Sequence, residues 1–314
     1  MLRSLGGNTS FTIGIEEGGA DEVLGTVAAA VSLADNRIAI LDGSPPRIRV
    51  YTANGEPSYS IGGPGVGPGE FRAPLTMVVD PESQALTVVD RDRRISTFAD
   101  TLLTASVTIS VDAEDACIVG PYLVLSAFDP EEFTSVQRHD LQTGAVARFG
   151  EAYPDGPPIA VGVLTGGAIA CSAAHGQILV SDIYLPFVMS YSVDGQLQWT
   201  AQIEDFVPRE IVSGTRDDGR AYVSQTYLDD FIANLVVLPS GNVLVQVGHS
   251  TVESSQRGRP YDALMSYVLD HQSGVGAYVS AEIPWVEYAS SNRVLTLRQL
   301  PYPVLSVHDV TRSE

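Results

Sequence analysis

Hydrophobic positions along this chain come in short runs, and helical periodicity is almost absent. Runs such as IAILD at 38–42, ALTVVD at 85–90, YLVLS at 122–126, QILVSD at 177–182, NVLVQV at 242–247 and RVLTL at 293–297 are rich in Val, Ile, Leu, Tyr and Thr. Clusters of Gly, Pro, Asn and Asp separate them. Strand-length apolar runs bounded by turn residues predict an all-β fold.

Within that pattern the chain repeats itself. When residues 37–61 are set beside residues 177–201 at a constant offset of 140, Asp42 meets Asp182, Pro46 meets Pro186 and Tyr51 meets Tyr191. Asn54-Gly55 meets Asp194-Gly195, and Tyr59 meets Trp199. Asn-Gly and Asp-Gly favour two-residue type I′ hairpin turns, so each is expected to join two antiparallel strands. Asp42 and Asp182 close the preceding strand, where a short carboxylate can accept backbone N–H groups.

The offset corresponds to three units of roughly 47 residues, the period of a four-stranded propeller blade. Asp90 ends a strand in a second unit, and Gln142-Thr143-Gly144 supplies the turn of a third. A fifth unit follows near 235–280, and a sixth, at 293–310, lacks its outermost strand. SFTIGI at 10–15 is a spare strand that would pair with VLSVHDV at 304–310 and close the ring, leaving no open sheet edge. The expected fold is therefore an all-β, six-bladed propeller of four-stranded antiparallel blades, one domain over 1–314. Its last blade is completed by the N-terminal strand. The uncharged stretch 159–174 carries three glycines and is expected to give two short strands and a turn.

Composition narrows the partners. The 18 cations are all Arg, the acidic residues number 38, and the net charge is −20. Such a surface repels a phosphate backbone and anionic lipid alike, which disfavours nucleic acid and direct membrane contact. No window carries the ~18 to 20 strongly apolar residues of a spanning helix. Residues 1–19 lack the apolar core of a signal peptide, which favours the cytoplasm, or the periplasm if the chain is a processed form. Cys117 and Cys171 form no C-x-x-C pattern and are expected as two small buried apolar residues.

The glycine run IGGPGVGPGEF at 61–71 tests for phosphate chemistry. It lacks the spacing of G-x-G-x-x-G and the Lys of a P-loop, and Pro64 and Pro68 remove N–H donors. With LTVVDRDRRISTF downstream it instead resembles the NHL-type repeat of six-bladed β-propellers, through Gly67, Pro68, Gly69, Phe71, Pro74, Asp80, Asp90, Arg94, Ile95 and Phe98. Glu70 and Thr76 depart from that pattern, where Gln and Gly are usual. The resemblance implies a propeller in which Asp90 and Arg94 are structural, tying blade loops together. It also brings an alternative to a scaffold: a metal-dependent lactonase-like hydrolase or lyase with a site, and possible Ca²⁺, in the central channel.

The residues give catalysis little support. There is no G-x-S-x-G elbow. His139, His175, His249, His271 and His308 fall in different units, and only His249 sits where a channel-facing group is expected. The acidic pairs Glu16-Glu17, Asp21-Glu22, Glu131-Glu132, Asp217-Asp218 and Asp229-Asp230 read as turn and rim residues, since neighbours on a strand face opposite ways. No catalytic or metal residue is assigned.

Length is the informative irregularity. Inserted loops at about 204–231 and 250–261 carry Arg209, Arg216, Arg220, Tyr222, Tyr227, Phe231, Arg257 and Arg259. Long insertions on a rigid scaffold tend to carry function, and Arg and aromatic residues dominate binding hot spots. The reading is a non-enzymatic interaction propeller of bacterial type, an extrinsic subunit docked on other proteins of a larger assembly, a membrane complex included. Asp42, Asp90, Asp182, Gly55, Gly195 and Arg94 are its repeat framework.

Overall fold

A computed structural model describes residues 9–153, 161–162, 164–208, 211–217, 219, 221–225, 229–250, 261 and 263–310. Each repeat becomes one antiparallel sheet in which successive strands are neighbours. Blade I holds β2 (Val27–Ser32), β3 (Ile38–Gly43), β4 (Pro46–Tyr51) and β5 (Pro57–Ile61). Blade II holds β6 (Pro74–Val79), β7 (Leu86–Asp90), β8 (Arg94–Ala99) and β9 (Leu102–Thr108). Blade III is β10 (Ala113–Val119), β11 (Tyr122–Asp129), β12 (Thr134–Asp140) and β13 (Val146–Glu151). Blade IV is β14 (Ile169–Ser172), β15 (Gln177–Ser181), β16 (Phe187–Ser192) and β17 (Leu197–Gln202). A two-stranded hairpin, β18 (Ile211–Thr215) with β19 (Ala221–Gln225), precedes blade V, which is β20 (Asp229–Val237), β21 (Val243–Ser250), β22 (Ala263–Leu269) and β23 (Gly276–Ser280).

Blade VI contributes β24 (Trp285–Ala289), β25 (Arg293–Arg298) and β26 (Val304–Asp309). Its fourth strand is the N-terminal β1 (Phe11–Ile13), which pairs with β26 as Phe11↔Val307, Thr12↔Ser306 and Ile13↔Leu305. The fold is thus a six-bladed propeller of four-stranded antiparallel blades, finished by the chain's first described strand as its pattern foretold. By internal contacts the strands fall into two compact units, Met1–Ala116 with Ile283–Glu314, and Cys117–Glu282.

Hydrophobic patterning follows strand position. Second strands are buried on both faces, as in β3 and β15, and therefore read as continuous apolar runs. Fourth strands face water on most positions, as in β5, β9 and β17, and mix polar with apolar residues. Apolar side chains of blades I and II share one cluster around Leu41, Ile48, Phe71 and Phe98. Blades IV and V share another around Leu179, Val188, Val243 and Val245. Ile13, 3% exposed, belongs to the cluster of blades VI and I; burying one such side chain is worth about 2 to 3 kcal/mol.

Three expectations need correction. The Asn-Gly and Asp-Gly pairs do not form two-residue turns. Gly55 N–H donates to Thr52 O (3.0 Å) and Gly195 N–H to Ser192 O (2.9 Å), and only the glycine takes positive φ, at 85° and 82°. This is the type I turn with a glycine bulge, in which Thr52 N–H donates to Glu56 O and Ser192 N–H to Gln196 O; a second bulge follows in each outer strand, where the register skips Ser58 and Gln198.

Second, residues 159–174 do not give two strands. Among the described residues only β14 is a strand there, preceded by a helical turn in which Thr165 N–H donates to Val161 O (2.8 Å). Gly167 is needed beside it, because a Cβ would meet Ser181 O at 2.4 Å. Third, Cys117 and Cys171 are not separate buried thiols but a disulfide with an S–S distance of 2.04 Å. The first strands of blades III and IV lie side by side, with the two Cα atoms 5.5 Å apart. The bridge spans 54 residues, and closing such a loop removes about 4 kcal/mol of unfolded-chain entropy.

Candidate functional site

The repeat acids are loop clamps. Asp42, at the end of β3, accepts the N–H groups of Gly25 (3.3 Å), Thr26 (3.1 Å) and Ser44 (3.0 Å). Asp90 does the same for Arg72 (2.8 Å) and Ala73 (3.0 Å), and Asp182 for Gly166 (3.1 Å). In each case the second strand holds the segment that leads into the first strand of its own blade. The sequence reading missed a fourth member, Asp129, although it ends β11 as Asp42 nearly ends β3. Asp129 accepts Glu131 N–H (3.0 Å), Gln137 Nε2 (2.9 Å) and Arg148 Nε (2.7 Å).

Cations distinguish these clamps. Arg49, on β4, pairs with Asp42 at 2.6 Å, both side chains buried, and its Nη1 donates to Ala20 O (2.7 Å). Burial works to raise the Asp129 carboxyl, but Arg148 and the Glu131 and Glu132 N–H groups outweigh it and hold it below the usual range. Asp182 lacks such a cation, so burial wins over the Gly166 hydrogen bond and pushes its carboxyl up to about 6.

Arg94 explains the glycine run. Its guanidinium donates to the carbonyls of Val66 (2.7 Å), Gly67 (3.2 Å) and Glu70 (2.6 Å), so this loop presents oxygens inward to a cation, the reverse of a phosphate cradle. Glu70 caps Gly67 N–H (2.8 Å), and Phe71 is buried edge-on to Phe98 with ring centroids 5.8 Å apart.

A second repeated device lies on the fourth strands. Gly55 sits under the Phe11 ring, Gly195 under Phe149, and Gly274 under Trp199, at 2.6 to 2.8 Å from where a Cβ would stand. Trp199 Nε1 also donates to His271 O (2.9 Å), and Tyr59 OH donates to Asp100 Oδ1 (2.7 Å). An aromatic of each of these strands thus covers the last turn of another blade.

The insertion before blade V has a fixed base. Asp230, at the start of β20, is 2% exposed and accepts both Val207 N–H (2.8 Å) and His249 Nδ1 (2.6 Å). It therefore fixes the 204–208 segment and orients the imidazole at once. Phe231 lies against Tyr261 with ring centroids 6.5 Å apart and covers Gly248. Tyr222 packs on Gly214 across the β18–β19 pair, and Arg216 in the hairpin turn is exposed. Arg209, Arg220, Tyr227, Arg257 and Arg259 lie outside the described residues.

The remaining histidines are packed in different ways. His308 meets Thr296 Oγ1 (3.0 Å), and His139 meets Gln137 Oε1 (3.2 Å). His175 and His271, far apart in sequence, stack at 4.0 Å between centroids. Among the described residues no three His, Cys, Asp or Glu side chains come together in a way that could hold a metal ion. Glu287, on β24, is pushed up to about 8 by burial, with the Asp115 carboxylate adding to the shift. A polar cavity of about 240 Å³ opens in blade I between Asp21, Arg49, Tyr51, Ser58 and Ser60.

A family model for DUF5128, described as a 6-bladed beta-propeller, matches residues 20–145. No curated protein matches the chain in sequence. Among solved structures, a putative exported protein from Bacteroides fragilis superposes with a TM-score of 0.64 at 10% identity, over 96% of this chain and 95% of that one. A member of the DUF4221 family from Bacteroides vulgatus gives 0.60 at 9% identity, over 96% and 97%. The Cps50 (Swd1) beta-propeller domain of Myceliophteria thermophila gives 0.54 at 9% identity, over 97% and 99%. At these identities the likeness is one of fold, and it agrees with the strand count: the chain is a six-bladed β-propeller.

Proposed function

We propose that this propeller is a non-enzymatic interaction module, an extrinsic subunit that docks on other proteins of a larger assembly, with blades that descend from NHL-type repeats. What supports the docking role is the insertion before blade V. Its base is fixed by Asp230 through Val207 and His249, while Arg216 stands exposed in the hairpin turn beyond it. A base already held in place reduces the ordering cost of binding there. The acidic surface directs the role toward neutral or basic proteins. The Cys117–Cys171 bridge favours an oxidising compartment as the place of work.

Affinity purification from the native organism tests the reading. The expected result is a defined partner whose recovery falls at least tenfold when Arg216, Arg257 and Arg259 are replaced by Ala, since anchoring Arg residues contribute ~2 kcal/mol or more each. Recovery of the chain alone, or stoichiometric Ca or Zn in the purified protein, would overturn it.

A further inference from the structure

We propose that the free edge of β9, the fourth strand of blade II, is a strand-addition site for an extended, basic-flanked segment of a partner protein. This surface is separate from the insertion and does not depend on it. Several observations single it out. No strand lies beyond β9 in its sheet among the described residues. Its sequence, LLTASVT, holds no charge, Pro or Gly, and nearly every position is exposed, with Leu102 at 69% and Val107 at 56%.

The other fourth strands carry protection that β9 lacks. β5 opens with Pro57, β13 carries Arg148 and Glu151, and β1 is only three residues long. Trp199 of β17 is folded onto His271, and β23 is only five residues long and opens with Gly276. Natural sheets guard their edges with shortness, Pro, charge or cover. A seven-residue edge with none of these, broken only by the bulge at Thr104, departs from the rule within a chain of net charge −20.

The ladder tells which groups are offered. Ile109 N–H donates to Arg93 O (2.8 Å), so antiparallel alternation turns the N–H and C=O of Val107 toward β8 and those of Ser106 and Thr108 outward. An added strand would bond those outward groups and lay alternate side chains beside Leu102 and Val107. Charge chooses the occupant. Repulsion between two copies of net charge −20 opposes self-pairing, and Asp100, just before β9, keeps 71% of its side chain exposed beside its contacts to Tyr59 and Arg37, which favours a cationic flank.

The test is a display library of random heptapeptides flanked by lysines, selected on the full chain and counter-screened on two variants. Ser106→Pro deletes an outward N–H without touching the β8 ladder, and Val107→Lys adds the charge that guarded edges carry. Expected are binders weakened at least tenfold by both variants, with slowed hydrogen exchange of the Ser106 and Thr108 amides on binding. Binders indifferent to both variants, or protection elsewhere, would overturn the proposal. A wild-type dimer that Val107→Lys makes monomeric would overturn the choice of occupant and assign the edge to a second copy. Arg216→Ala serves as control: it should leave these peptides bound, which separates this edge from the insertion.

Discussion

Blades I and IV carry the same residues at five aligned positions, yet their clamps are electrostatically opposite. Asp42 faces Arg49 at 2.6 Å; at the position aligned with Arg49, blade IV has Met189. Both carboxylates are buried and both hold the segment before the first strand. One is a buried ion pair, and the other is a lone acid that accepts a proton near pH 6. A repeat therefore conserves geometry, while the third strand decides how the buried charge is neutralised.

The largest expected effect breaks the ion pair. Asp42→Asn keeps the shape and one acceptor but leaves Arg49, whose side chain is 5% exposed, without its counter-charge. Losing one member of a buried pair costs about 3 to 5 kcal/mol, to be read from denaturant unfolding. Asp182→Asn at pH 7.5 should cost nothing or stabilise, because Asn retains the acceptor for Gly166 N–H and carries no charge to bury. Equal losses in the two variants would refute the contrast.

The next effect is the pH dependence of blade IV. Folding raises the Asp182 carboxyl from 3.8 to about 6, so the folded state binds the proton more tightly. Its contribution is fully present below pH ~4 and disappears as pH rises through about 6, with an amplitude of about 3 kcal/mol. Other carboxylates titrate in the same range, Glu287 among them with the same sign. The informative quantity is therefore wild type minus Asp182→Asn: the advantage of wild type should shrink between pH 4 and 7. A difference flat across that window would show that Asp182 is not a lone buried acid.

How much of this was legible follows from the range of each interaction. The strand runs, the offset of 140 and the spare strand at 10–15 were readable because periodicity and turn residues are local signals. Met189 opposite Arg49 was also present in the aligned sequence, but its meaning needs the knowledge that β3 and β4 bring residues 42 and 49 together. Cys117 with Cys171 and His175 with His271 are pairings between neighbouring blades, which no spacing rule announces. The turn type failed for a different reason: Asn-Gly is compatible with both the two-residue turn and the longer bulged one, and the strand register selects between them. The insertion was legible as an excess of length, and its clamp was not, because Asp230 reads as one of two adjacent rim acids.

A third comparison should find the two blades alike. Gly55 and Gly195 share positive φ and an overlying ring, so Gly55→Ala and Gly195→Ala should each cost about 1 to 3 kcal/mol, and by similar amounts. Unequal losses would mean that Phe11, on the short closing strand, yields where Phe149 does not.

The smallest effect concerns the aligned pair Tyr59 and Trp199. Tyr59 OH accepts from Arg37 Nη1 (2.6 Å) and donates to Asp100 Oδ1 (2.7 Å), and both partners remain open to water. Tyr59→Phe should therefore cost only about 0.5 to 1 kcal/mol, since solvent replaces the lost bonds. Trp199→Phe removes the donor to His271 O and also part of the ring that covers Gly274, so its loss should be the larger of the two in thermal unfolding. If Tyr59→Phe were the costlier change, the hydroxyl bridge rather than aromatic cover would be what fixes the turn, and the two blades would differ here as well as at their buried acids.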